Sequence, residues 1–274
     1  MPHCHNQSQT QFLDNLDLKI KALAITKHII NVIGTPVTAL LFDTKIKIIL
    51  DWASSYESRI VCVANAHMLT EAYVHPALSN ILKSADLVTP DGMPLVWMMR
   101  LMGAYAQNRV AGMDIVLSLL DLAPTRNISV FFLGSEASIL EKIRKRVEQE
   151  FPNLQIAGME PLPFHPLTPA DDDIILQKIH ESGASLVLVS LGCPKQEYWM
   201  NQHKSKIQAV MIGLGAVFPI LAGVHKRAPL WMRESGLEWL YRLTQEPQRL
   251  FIRYVKTIPL FILLALKQLL TSKY

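Results

Sequence analysis

The sequence predicts an α/β fold: an open, mostly parallel sheet with helices on both faces, followed by a helical C-terminal appendage. Three observations predict it. Short apolar runs rich in Val and Ile recur along the chain, and near-continuous hydrophobicity marks strands covered on both faces. Longer segments of helical periodicity lie between them, and strand–helix alternation builds parallel sheets through right-handed crossovers. From residue 225 onward the alternation stops and the chain reads as helix alone.

In chain order, the strands are RIVCVANA (59–66), ADLVTP (85–90), ISVFFLG (128–134), SLVLVSLG (185–192) and AVMIGLG (209–215). The helices between them are MPLVWMMRLM (93–102), MDIVLSLLDLA (113–123), ASILEKIRKRVEQEF (137–151) and DDDIILQKIHESG (171–183). Strand order is not readable at this level. Ligands of such sheets bind outside the carboxyl ends of the strands. Asn65, Asp91, Gly134 with Ser135, and the GCPKQE segment (192–197) therefore open onto one edge.

The tail reads as WMRESGLEWLYRLTQE (231–246) and PQRLFIRYVKTIPLFILLALKQLL (247–270), with Pro247 suited to a first helical turn. Arg249, Arg253 and Lys256 recur at i, i+4 and i+7, one basic stripe. The run IPLFILLAL (258–266) is too short to span a bilayer, which needs about 20 apolar residues. A basic, apolar helix of this kind suits the membrane interface. A helix packed on the core is the alternative.

Composition sets the outer limits. With 274 residues, half of them hydrophobic and 18% charged, the chain can build a core, and global disorder is excluded. Cys4, Cys62 and Cys193 are too scattered for a disulfide framework or a metal pair, which points to a reducing compartment. The start, MPHCHNQSQTQFLDNL, lacks the layout of a signal peptide, and residues 1–24 read as a polar extension. His3, Cys4 and His5 belong to that frayed start and not to a metal site. The net charge is +4, yet from His225 onward nine Lys/Arg face three Glu. A basic tail on a near-neutral body fits a local anionic partner and argues against nucleic-acid binding.

Several groups carry candidate chemistry. Asp91, followed by Gly92, is a natural turn-former and equally a candidate general base at a strand's carboxyl end. Arg109, in QNRVAGMD (107–114), suits either a solvated loop or a phosphate site beside a helix N-terminus. In LGCPKQEYW (191–199), Gly192 and Pro194 force a turn. Lys195, Gln196 and Glu197 then land at the sheet edge or open a helix with solvated charges. Cys193 reads as a buried structural thiol. Asp171–Asp173 spell the DxD of metal sites, but they open a helix, where acids complement the macrodipole; no metal site is assigned. GLGAVF (213–218) starts like a dinucleotide fingerprint without its third glycine, which leaves an NAD-binding oxidoreductase as an alternative.

Together these segments resemble the WecG/TagA/CpsF family of glycosyltransferases (glycosyltransferase family 26), from about residue 25 to residue 255. The most specific stretch is AGVHKRAPLWMRESGLEWLYRLTQEPQRLFIRY (222–254). PDGMPLVW (90–97), RVAGMD (109–114), FFLGS (131–135) and LGCPKQEYW (191–199) follow in the family's order. The resemblance implies a Rossmann-like catalytic core over residues 25–224 and a basic amphipathic, membrane-binding appendage over residues 225–274. It implies an inverting, metal-independent enzyme, with no cofactor. Such an enzyme moves an N-acetylmannosamine-type or related hexose from a UDP-sugar to a polyprenyl diphosphate-linked sugar, undecaprenyl diphosphate being the lipid carrier. The setting is cell-envelope polysaccharide or teichoic-acid-type polymer synthesis, by a cytoplasmic, peripheral protein on the inner membrane face. Asp91 is then the base, with Arg109 and Gln196 beside it and Asn65 lining the pocket. Arg242, Arg249 and Arg253 match arginines that close over the site. Gly92, Gly134, Ser135, Gly192, Lys195 and Glu197 complete the substrate-binding set, and a homo-oligomer is a further expectation. Two positions depart from the family pattern, Val63 for a hydroxyl residue and Pro219 for an acidic one, and both bear on the donor sugar. A non-catalytic subunit of a membrane-associated assembly complex is the remaining alternative.

Overall fold

The computed structural model describes residues 28–163, 165 and 167–271; the polar extension over 1–24 lies outside the described residues. A hairpin comes first, β1 (Ile29–Val32) and β2 (Thr35–Thr38). Its two-residue turn takes positive φ at both Ile33 and Gly34, 50° and 78°, the mirror-image geometry that matches strand twist. Six further strands follow: β3 (Arg59–Ala64), β4 (Leu87–Pro90), β5 (Val130–Gly134), β6 (Ile156–Glu160), β7 (Leu186–Ser190) and β8 (Val210–Gly213). They form one parallel sheet in the order β4-β3-β8-β7-β5-β6.

All five expected strands are present. The hairpin and β6 were not anticipated. Strand β6 is a half-exposed edge strand interrupted by Gly158, where a Cβ would stand 2.4 Å from the Phe131 ring. Packing against Phe131 decides that residue, and local periodicity carries no trace of it.

The sheet is covered on both faces by α1 (Phe42–Ser54), α2 (Ala66–Val74), α3 (Pro76–Ser84), α4 (Met93–Leu101), α5 (Gly112–Leu122), α6 (Ala137–Glu150), α7 (Pro169–Ser182), α8 (Lys195–His203) and α9 (Val217–Leu221). Alternation along β3 shows the two layers directly. Ile60, Cys62 and Ala64 join one buried cluster with Leu69, Leu95 and Met200. Val61 and Val63 join the other with Leu119, Phe132 and Phe218. The chain steps from β3 outward to β4, crosses to β5 and β6, then returns through β7 to β8 beside β3. Strand β3, the first of this sheet, lies beside β8, the last, and the chain leaves them toward opposite faces, to α2 and α9; that is where the crevice of such a sheet opens.

The tail forms α10 (Leu230–Glu234), α11 (Glu238–Gln245) and α12 (Pro247–Thr271). The expected helix over 231–246 is broken at Gly236, which has φ +74° and no room for a Cβ, since one would stand 2.6 Å from Trp97. Helix α12 runs through Pro259 and buries Leu250, Thr257, Phe261, Leu264 and Ala265. At its far end the Gln268 amide donates to the Asn31 carbonyl (2.6 Å) and accepts from the Ile33 N–H (2.8 Å). This face is thus packed on the core. The opposite face leaves Phe251, Ile252, Val255, Ile262, Leu263, Leu266 and Leu270 exposed. No helix among the described residues is long and apolar enough to cross a membrane.

Candidate active site

Asp91 extends β4: its N–H donates to the Ala64 carbonyl at 2.7 Å, and its carboxylate, 27% exposed, stands over the crevice. Gly92 is the N-cap of α4 in an ordinary extended conformation. Asn65 ends β3 and caps α2, its Oδ1 accepting the Met68 N–H at 3.1 Å. That cap leaves the Asn65 amide NH2 for the cavities it lines. The loop before α5 is tied to β4 by the Val110 N–H, which donates to the Pro90 carbonyl at 2.8 Å. This brings Arg109 Nε within 3.4 Å of Asp91 Oδ1. The same guanidinium reaches Glu238 Oε2 on α11 at 2.7 Å.

Glu238 was missed in the sequence, where it is one acid among the tail's charges. Burial pushes its pKa up, and the neighbouring Asp91 charge adds to that, against Arg109, Arg242 and Arg227. The outcome is a carboxylate–arginine–carboxylate chain bridging the sheet edge and the tail.

On the β7–β8 side, Gln196 is buried at the start of α8. Its Oε1 accepts the Gly215 N–H at 2.9 Å, and its Nε2 donates to Glu197 Oε1 at 2.8 Å. A Cβ on Gly213 would stand 2.9 Å from Gln196 Nε2 and 2.8 Å from Met200 Cε. The glycines of GLGAVF therefore make room for Gln196 and bond it. This corrects their dinucleotide reading.

Two cavities meet at these groups. A polar cleft of about 100 Å3 is lined by Asn65, Asp91, Arg109, Gly192, Gln196 and Gly215, together with Arg242, Arg249 and Arg253 from the tail. An apolar cavity of about 420 Å3 shares Asn65, Asp91, Arg109, Arg242 and Arg253 and continues between α4 and α12. Arg249 pairs with Glu246. Arg242 and Arg253 have no carboxylate partner among the described residues. Burial lowers the Arg253 pKa, and repulsion from Arg249 lowers it further. Burial, then Arg253, pulls His67 down to about 4, so that ring is neutral. The cleft lining carries five guanidinium groups, Arg109, Arg227, Arg242, Arg249 and Arg253, against two carboxylates, Asp91 and Glu238.

A model of the Glycosyl transferase WecG/TagA/CpsF family matches residues 30–274. The chain belongs to this family. It is a glycosyltransferase. An N-acetylglucosaminyldiphosphoundecaprenol N-acetyl-beta-D-mannosaminyltransferase of Bacillus spizizenii is 35% identical over 208 residues, 76% of this chain and 78% of that protein. The protein of the same name in Bacillus subtilis is 32% identical over 190 residues, 69% and 72% of the two chains. A third, from Staphylococcus aureus, is 26% identical over 209 residues, 76% and 80%.

The glycosyltransferase does not bring every expected residue to this site. Glu197 is fully buried behind Gln196; its Oε2 has no hydrogen-bond partner among the described residues, and burial raises its pKa. It positions Gln196 and lines neither cavity. Lys195 is exposed and lines neither. Gly134 has φ +105°, and its missing Cβ would stand 2.6 Å from the Ser190 carbonyl, so it serves the close approach of β5 to β7; the Ser135 carbonyl accepts the Leu162 N–H, and neither residue lines a cavity. Cys193, expected to be buried, is half-buried and lines the polar cleft; burial and then the Glu197 charge push its pKa up. Two of the three acids are used structurally: Asp171 closes a capping box with Thr168, and Asp172 binds His203 Nε2 at 2.9 Å and Trp199 Nε1 at 2.7 Å, while Asp173 is exposed. No cluster of three or more His, Cys, Asp or Glu fit for a metal occurs among the described residues. Val63 lines the polar cleft. Pro219 lines neither cavity; its carbonyl accepts the N–H groups of Val224 and His225.

Proposed function

We propose that this glycosyltransferase moves an N-acetylmannosamine-type sugar from a UDP-sugar to a polyprenyl diphosphate-linked sugar, with inversion and without a metal. One observation carries the reading: the Asp91 carboxylate stands where the arginine-rich cleft meets the apolar cavity. Sugar transfer needs a base for the incoming hydroxyl and positive groups for the departing diphosphate. In this reading the donor diphosphate lies in the polar cleft and the acceptor hydroxyl faces Asp91. Asp91 takes the hydroxyl proton as the acceptor oxygen bonds to the anomeric carbon. The bond from that carbon to the diphosphate oxygen breaks on the opposite side, and its electron pair leaves with UDP. Arg109, Arg242, Arg249 and Arg253 hold the charge that develops there, the task a metal performs elsewhere. Asn65 and Gln196 orient the donor by their amides. The relatives' names, which give a mannosaminyl group and an acceptor of N-acetylglucosaminyldiphosphoundecaprenol, support this substrate class.

Residues 225–274 serve as a lid whose exposed apolar stripe and basic residues meet the inner membrane face. Asp91→Asn should lower kcat by about 100-fold or more while circular dichroism stays that of the native fold. Retained turnover in that variant removes Asp91 from the base role. Turnover that survives chelation of divalent ions supports the metal-free route, and its loss on chelation refutes it.

A further inference from the structure

Resting on that function, we propose that the apolar cavity between α4 and α12 seats the proximal part of the acceptor's polyprenyl chain. The enzyme then holds hydrocarbon as well as sugar diphosphate. Trp97, Met98 and Leu101 form one wall, and Phe261, Ala265 and Leu266 the other. The inner end of the same cavity is polar, reached by Asp91, Arg109 and Arg253. Such a gradient, from guanidinium groups to aliphatic walls, matches an amphiphile with a diphosphate head and a branched hydrocarbon tail.

The dimensions agree with one chain. From Ile258 to Leu266 α12 rises about 12 Å, and about 420 Å3 lies within the range of small-molecule sites. The rim is open and apolar: Leu101 is 68% and Leu266 54% exposed. It joins the outer stripe of α12, where Ile262, Leu263 and Leu270 are exposed as well. A chain leaving the groove therefore passes along apolar surface into a bilayer without crossing water. Charge complementarity selects this occupant over the acyl chain of a phospholipid. Arg242 and Arg253, both without a carboxylate partner among the described residues, ask for more negative charge than a phosphodiester supplies.

The test reads binding without any sugar donor. Dimethylallyl, geranyl and farnesyl diphosphate are titrated into the full chain by calorimetry. Affinity should rise about tenfold or more from the five-carbon to the fifteen-carbon ligand. In Leu101→Asp and Leu266→Asp, both at exposed positions, that ratio should fall to about threefold or less. Ala265→Phe, which fills the groove without adding charge, gives a second route to the same collapse. Equal affinity at all three lengths overturns the proposal, as does a ratio that survives all three variants. Equal competition by dihexanoyl phosphatidylglycerol against farnesyl diphosphate also overturns it, by identifying a membrane acyl chain as the occupant. Length-dependent binding in a protein with no transfer activity would refute the function and leave the groove. Active transfer with length-independent binding would refute the groove alone.

Discussion

Asp91 shows how little a residue's local chemistry fixes its role. In PDG it forms a turn, and the structure keeps that turn, with the backbone N–H locked onto β3 and the side chain over the crevice beside Arg109. Arg109 divides its guanidinium between Asp91 at 3.4 Å and Glu238 at 2.7 Å, and the shorter contact belongs to the tail. Gln196 is held on two sides, and Gly213 supplies the space. Gly213→Ala would push against two flexible side-chain ends, Gln196 Nε2 and Met200 Cε, so it should move the amide more than it unsettles the fold. The expected result is kcat/KM lower by about tenfold, equivalent to about 1.4 kcal/mol, with Tm within a few degrees of the native value. A large fall in Tm with normal kcat/KM in the folded fraction would make Gly213 a packing residue only.

Between elements, the docking of α12 on α2 has a titratable contact at its centre. His67 Nδ1 lies 3.3 Å from Thr257 Oγ1, with Glu71 at 3.8 Å and the Arg253 charge nearby. Its pKa is held at about 4, below the unfolded value of 6.5. A depressed histidine pKa favours the neutral ring in the fold. The associated stability is fully present above pH 6.5 and is lost as pH falls through 4. The span amounts to at most about 3 kcal/mol, discounted for the part of the ring that water reaches. The wild-type Tm should thus drop by several degrees between pH 7 and pH 4.5, and His67→Asn should show a smaller drop. Parallel pH curves for the two proteins would contradict this account.

At the scale of the whole molecule, the carboxyl ends of β4, β3, β8 and β7 open the cleft, and the tail folds back to complete it. Glu238, Arg242, Arg249 and Arg253 all reach the cleft from the tail, while Gln268 fixes the tail's end to the hairpin. The face of α12 turned away from the core keeps Leu263 64% and Leu270 69% exposed. Replacing both by Glu should abolish co-sedimentation with vesicles containing phosphatidylglycerol and leave Tm unchanged within a few degrees, since neither side chain is packed. Undiminished sedimentation would show that the basic residues alone carry the membrane contact.

The sequence by itself determined the parallel α/β class, the strands β3, β4, β5, β7 and β8, Asp91 at a strand's carboxyl end and the basic stripe of the tail. Each of these rests on local periodicity or on a short motif. The tertiary structure alone decided the strand order, the edge strand that Phe131 selects through Gly158, and the break at Gly236 beneath Trp97. It also decided which members of one motif serve the site: Gln196 enters the cleft wall, while Glu197 turns into the core and Lys195 into solvent. Glu238 was legible only as a charge, because its partner Arg109 lies far away in the chain. Adjacent residues share their sequence signal, but a helix sends their side chains in different directions, and only packing reveals which direction meets the cleft.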